Sequence, residues 1–221
     1  MEPDAVEIRV LGCLVEKQRT TPDAYPLSLN ALRLACNQST NRSPVVDYDE
    51  ETVIAALRRL AQRGWTRLAS GAGSRARKYR HLLPEALGLD DAEVSLLAVL
   101  MLRGAQTPGE LKQRSERMHG FAGLPAVQET LEGLVGRGWI ERHPRQPGQK
   151  EDRYSQLLGG GEPDEEQGDS GETGPAAASS GLAAAEAEIE TADAERLDRL
   201  EAELLALRDE LARLRAALGD G

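Results

Sequence analysis

Val6, Val10, Leu11 and Leu14 keep the three-and-four spacing of one helix face. Leu27, Ala31, Leu32 and Ala35 make a second such face after Tyr25-Pro26, with Ser28 placed to cap it. A third helix opens at Asp47 or Asp49, where Asp47 and Glu50 have capping-box spacing, and it buries Val53, Ala56, Leu57 and Leu60. Gly64 is positioned to stop this helix in a left-handed cap. The pattern then changes: Trp65–Leu68 and Lys78–His81 read as short strands, joined by the polar, Gly-rich stretch 69–76.

The same pattern returns. Leu57-Arg-Arg-Leu-Ala-Gln-Arg-Gly-Trp65 lies over Leu131-Glu-Gly-Leu-Val-Gly-Arg-Gly-Trp139 at an offset of 74, and Tyr79 lies over Tyr154 at 75. Glu7–Leu14 resembles Glu93–Leu100 at 86, so the first copy carries about twelve extra residues before its third helix. Two copies of one small domain, 1–83 and 84–158, are the economical explanation. The second has helices near 91–103, 107–118 and 125–137, strands around Trp139-Ile140 and Arg153-Tyr154, and a loop from Pro144 to Lys150. Thr107-Pro-Gly-Glu110 supplies a capping residue, Pro in the first helical position and Glu at the third, which a helix start needs. Three helices followed by a hairpin describe a winged helix. The fold class is therefore mainly α with small β-hairpins (α+β), as tandem winged-helix domains.

Beyond residue 158 the chain changes character. Residues 159–181 combine Gly, Pro, Ser and acids with no large apolar residue, so they are expected to form a disordered acidic linker. In the helix expected over 182–221, Leu197, Leu200, Leu204, Leu207, Leu211, Leu214 and Leu218 alternate steps of three and four, a heptad seam over 196–218. With Leu197 at a, a parallel dimer opposes Arg196 to Glu201′, Glu203 to Arg208′ and Glu210 to Arg215′, each of opposite sign. A parallel homodimer through this helix is expected, with docking of a lone amphipathic helix on the body or a partner as the other reading.

The runs TTPDAYPLSLNALRLACNQSTNRSPV (20–45), GSRARKYRH (73–81), LMLRGAQTPGELKQRSERMHGFA (100–122) and PRQPGQKEDRY (144–154) closely resemble the bacterial YceH family over about residues 5–158. The resemblance implies tandem winged-helix domains and a bacterial cytoplasmic setting. It brings no established activity with it.

Composition narrows the picture. Aromatics are 3% of the chain, with one Phe, so any core must be built from Leu, Val and Ala. Two cysteines, Cys13 and Cys36, are too few for a disulfide framework or four zinc ligands and read as buried free thiols. No signal-peptide pattern and no apolar run of membrane-spanning length is present, which predicts a soluble, cytoplasmic chain with no membrane contact. Net charge is −10, yet 159–221 hold 17 acids and 5 bases, leaving 20 acids and 22 bases in 1–158. The acidic balance describes the tail, not a binding surface.

Arg75, Arg77, Lys78 and Arg80 place four cations in six residues on and beside the first wing, with Arg42 ahead of the third helix. Such a patch suits phosphate and salt-sensitive, non-specific DNA binding. Arg145 and Lys150 offer a weaker second wing contact, diluted by Glu151 and Asp152. Arg58, Arg59 and Arg63 read as solvated surface, Arg58 and Arg59 pairing with local acids. The run Asn37–Arg42 suits a phosphate or a partner's backbone, but is better read as caps and Asx-turns. Base readout is disfavoured: the third helix begins Asp49-Glu50-Glu51, and Pro125–Thr130 has no Arg or Asn to make bidentate contacts. His81, His119 and His143 are isolated and read as surface imidazoles. No catalytic residues, metal site or cofactor are expected. The reading is a non-enzymatic, nucleic-acid-associated or regulatory protein; the alternative is a protein-interaction scaffold whose winged helices bind no DNA.

Overall fold

The computed structural model describes residues 2–69, 77–145 and 148–159. All of them fall within one compact unit, Met1–Glu165. The linker from residue 160 onward, the heptad leucines Leu197–Leu218 and Arg75 lie outside the described residues.

Helix α1 (Ala5–Thr20) starts where Asp4 and Glu7 cap each other: Glu7 N–H donates to Asp4 Oδ1 at 2.8 Å and Asp4 N–H to Glu7 Oε2 at 2.9 Å. After one turn of 3₁₀ helix (Pro22–Ala24) and the two-residue strand β1 (Leu27–Ser28), Ser28 caps α2 (Leu29–Cys36), as its position predicted. Helix α3 (Glu50–Gln62) starts at Asp49, which accepts from Thr52 N–H at 2.8 Å. Asp47, the other candidate cap, instead takes the Asn37 side-chain amide at 3.2 Å. Strands β2 (Thr66–Leu68) and β3 (Lys78–His81) follow, then the short α4 (Leu83–Leu87).

The second run of elements is α5 (Asp91–Arg103), α6 (Pro108–Ser115), α7 (Leu124–Gly136), β4 (Ile140–His143) and β5 (Arg153–Gln156). Thr107 and Glu110 form the capping box expected for α6. The two sheets follow one plan. In the first the order is β1-β3-β2, all antiparallel; in the second β5 pairs with β4 and, on its other side, bridges to Gln106. Gly64 (φ 77°) and Gly138 (φ 72°) end α3 and α7 in the left-handed region. Trp65 N–H then reaches back to Leu60 O at 2.9 Å, and Trp139 N–H to Leu134 O at 3.0 Å.

The two halves are joined through their first helices. Every residue from Glu7 to Val15 of α1 and from Val94 to Leu102 of α5 is buried, and a helix buried all round must sit inside a core. α1 and α5 pack on each other, and Gly12 lies in their contact. A Cβ there would lie 3.0 Å from the Leu102 side chain and 3.1 Å from Met101 Cβ. Met101 Cβ cannot swing aside, so Gly12→Ala should push the helices apart. Urea unfolding is expected to show a net loss of about 1–2 kcal/mol, overpacking outweighing the gain in helix propensity. Gly133→Ala in α7, where a Cβ would meet nothing within 4 Å, should raise stability by about 0.5–1 kcal/mol instead.

No described helix is long and apolar enough to cross a membrane.

Candidate nucleic-acid interface

The β2–β3 hairpin is set by register. Thr66 pairs with His81, Arg67 with Arg80 and Leu68 with Tyr79. Since alternate residues of a strand face opposite sides, buried Thr66 and His81 share the core face, and Arg67 and Arg80 stand together on the other. Like charges directly opposite destabilise a strand pair. Arg77 and Lys78 belong to the same hairpin, and none of these four cations makes an ion pair among the described residues. Arg80 Nε is buried without a hydrogen-bond partner, beside a cavity of about 350 Å³ lined also by Gln18, Arg19, Glu85 and Asp91.

Arg67 was absent from the sequence-based list of cations. Alternation along Thr66–Leu68 was the available signal; its pairing with Arg80 needed the register.

Arg42 requires a correction. It is buried, and its side chain donates five hydrogen bonds: Nε to Ala35 O (3.0 Å), Nη1 to Glu16 Oε1 (3.1 Å) and Asn41 O (2.8 Å), Nη2 to Glu16 Oε2 (2.6 Å) and Gln38 Oε1 (2.7 Å). A guanidinium has five N–H groups, so none is left for a phosphate. Burial opposes the Glu16 charge, but the hydrogen bonds and charge of Arg42 outweigh it and hold that carboxyl below its ordinary range. Within the Asn37–Arg42 run, Asn37 bonds Tyr48 N–H and O at 2.8 and 2.9 Å, Gln38 accepts from Arg42, and Asn41 takes the left-handed conformation (φ 60°).

His81 also departs from expectation. It is not a surface imidazole but is 4% exposed. Nδ1 accepts from Leu83 N–H at 3.3 Å, so Nε2 carries the proton toward Gln18 Oε1 at 2.6 Å. Burial, with Arg19 and Arg80 nearby, pushes its pKa down to about 4.

Two further arginines of the first half are neutralised locally: Arg59 meets Asp4 (2.6 Å) and Glu7 (3.2 Å), and Arg63 lies 3.5 Å from Glu7. Arg58 is exposed. In the second half Glu141 and Ser155 are the register partners that match Arg67 and Arg80. Arg142 is held by Asp152, Arg153 by Glu110 and Arg137 by Glu93. Arg145 and Lys150 are exposed, the Arg145 backbone N–H donating to Asp152 at 2.9 Å.

Residues 4–149 match the family described as protein of unknown function, DUF480. The chain belongs to this family. Similarity to proteins named UPF0502 extends over nearly the whole chain. A UPF0502 protein of Geotalea daltonii is 55% identical over 157 residues, covering 70% of this chain and 72% of the relative. That of Pelobacter propionicus is 46% identical over 221 residues (97% and 94%), and that of Pseudomonas syringae pv. tomato 43% over 220 (97% and 92%). The DUF480 match takes in the cationic hairpin and the Arg42 network alike.

Proposed function

We propose that this DUF480 protein is a non-enzymatic tandem winged-helix protein that associates with nucleic acid by gripping backbone phosphate with its first hairpin. The element order and the shared sheet plan of the two halves support the winged-helix reading. The observation that carries the function is the Arg67–Arg80 register pair, two cations on opposed positions of neighbouring strands, neither in an ion pair with a described carboxylate. A bound phosphate relieves that repulsion and releases counterions. The exposed carboxylates of Asp49, Glu50 and Glu51 at the start of α3 repel a duplex there, so contact through the hairpin is without base choice.

Fluorescence anisotropy with a labelled duplex across a salt series tests this. Wild type should lose affinity steeply with salt. Arg67→Ala/Arg80→Ala should weaken binding about tenfold or more at low salt and flatten the log–log slope by about 2, equally for duplexes of unrelated sequence. No binding at low salt, or binding indifferent to these substitutions, overturns the reading in favour of a protein-interaction scaffold. The neutralised cations of the second half, with Val135 and Leu157 exposed beside it, favour a protein contact for that half. Parallel pairing of two chains through Leu197–Leu218 belongs to the same proposal: it would link two hairpins, so a chain ending at Leu158 should bind more weakly than the full chain.

A further inference from the structure

Arg9, Cys13 and Glu16 occupy one stripe of α1, at positions i, i+4 and i+7, facing the end of α2. There they meet Cys36 and Arg42. Both cysteines are fully buried and reduced. Cys13 Sγ donates to Ala35 O at 3.3 Å, one peptide from Cys36. Ala35 O also accepts from Arg42 Nε, so it stays satisfied if Cys13 gives up its proton.

The buried charges do not balance. Arg9 is 4% exposed and donates only to carbonyls, Cys36 O at 3.2 Å and Pro44 O at 2.6 Å. Arg42 has Glu16, which Lys17 also approaches at 3.5 Å. Among the described residues Arg42 thus has a carboxylate and Arg9 has none in an ion pair, and an unbalanced buried cation favours a nearby anion. A sulfur anion at Cys13 supplies it.

We propose that Cys13 and Cys36 are a peroxide-reactive dithiol, with Cys13 as the attacking thiolate and Cys36 as the thiol that resolves it. Cys13 sulfur attacks one oxygen of hydrogen peroxide and the O–O bond breaks. Sulfur is oxidised by two electrons to the sulfenic acid, and the departing hydroxide takes a proton and leaves as water. Cys36 then loses its proton and attacks the Cys13 sulfur; the S–S bond forms and the second oxygen leaves as water. Two thiols and one peroxide give one disulfide and two waters. Burial and the Glu16 charge would raise the Cys13 pKa, but the neighbouring Cys36 thiol and the Arg42 and Arg9 charges hold it below the ordinary thiol value; the Cys13 sulfur, with burial, raises Cys36. Arg42 and Pro44, bonded to Ala35 O and to Arg9, belong to the helix- and strand-free segment 37–48, whose local opening gives small uncharged peroxide a route to the pair.

Cys13 and Cys36 are the only cysteines of the chain, so intact mass and thiol titration report on them alone. With hydrogen peroxide at neutral pH, the full chain should lose both thiols and about 2 Da. Cys36→Ser should stop at a sulfenic acid on Cys13, trapped by a dione probe, and Cys13→Ser should leave Cys36 unreacted. Arg9→Gln should slow Cys13 oxidation by roughly tenfold and shift its alkylation pH profile upward. The proposal is overturned if the folded chain keeps both thiols at peroxide concentrations that oxidise it in urea, if the probe marks Cys36 in wild type, or if Arg9→Gln leaves rate and profile unchanged.

Discussion

Arg42→Met is expected to lower the free energy of unfolding by about 3–5 kcal/mol, because it strands Glu16 in a partly buried site and removes the donors that tie residues 35, 38 and 41 together. Urea unfolding at neutral pH measures the loss. Acid should shrink the difference between the two proteins, since protonated Glu16 no longer needs a cation. Adding Glu16→Leu should recover part of the loss, an apolar pair being cheaper to bury than one unpaired charge. Arg42→Lys separates the structural role from a phosphate contact. Lysine keeps the charge but cannot reproduce the five-donor fork, so stability should fall although charge is unchanged. Wild-type stability in Arg42→Lys would contradict the structural role.

The second large effect is a loss of stability on acidification through His81. Its pKa is about 4 in the folded chain against 6.5 ordinarily, so between those values the unfolded chain binds the proton and the folded chain does not. Stability therefore rises with pH across this window: the contribution is complete above pH 6.5 and is lost as pH falls toward 4. The difference corresponds to roughly 3 kcal/mol. Carboxylates titrate in the same range, so the measurement is the difference between wild type and His81→Gln at about pH 7.5 and about pH 4.5, an interval that covers most of the window. Wild type should lose about 2.5 kcal/mol more than the variant over that interval. Parallel pH curves for the two proteins would show that the imidazole is not held neutral by its surroundings.

The relation between the two hairpins bears on function as well. The halves share their strand order, yet Arg67 and Arg80 in one are matched by Glu141 and Ser155 in the other. Similar backbones thus carry opposite electrostatics, and the proposed phosphate contact belongs to the first half alone.

What the chain's own pattern determined is the order and type of the main elements: helices whose apolar positions repeat at three and four, caps at Ser28 and Thr107, left-handed stops at Gly64 and Gly138, and hairpins after each third helix. These depend on residues within about one turn of each other, so neighbouring letters suffice. The pattern did not show α4, the Pro22–Ala24 turn or β1, where Leu27 lies instead of on the second helix. Tertiary structure decided which polar groups are free. Arg42 and Glu16 are 26 positions apart, His81 and Gln18 are 63 apart, and Arg67 meets Arg80 only through the register of two strands. A cation in a sequence is only a charge. Whether it is consumed by a buried carboxylate or left facing another cation depends on distant segments and on exclusion of water, and neither is written in local spacing.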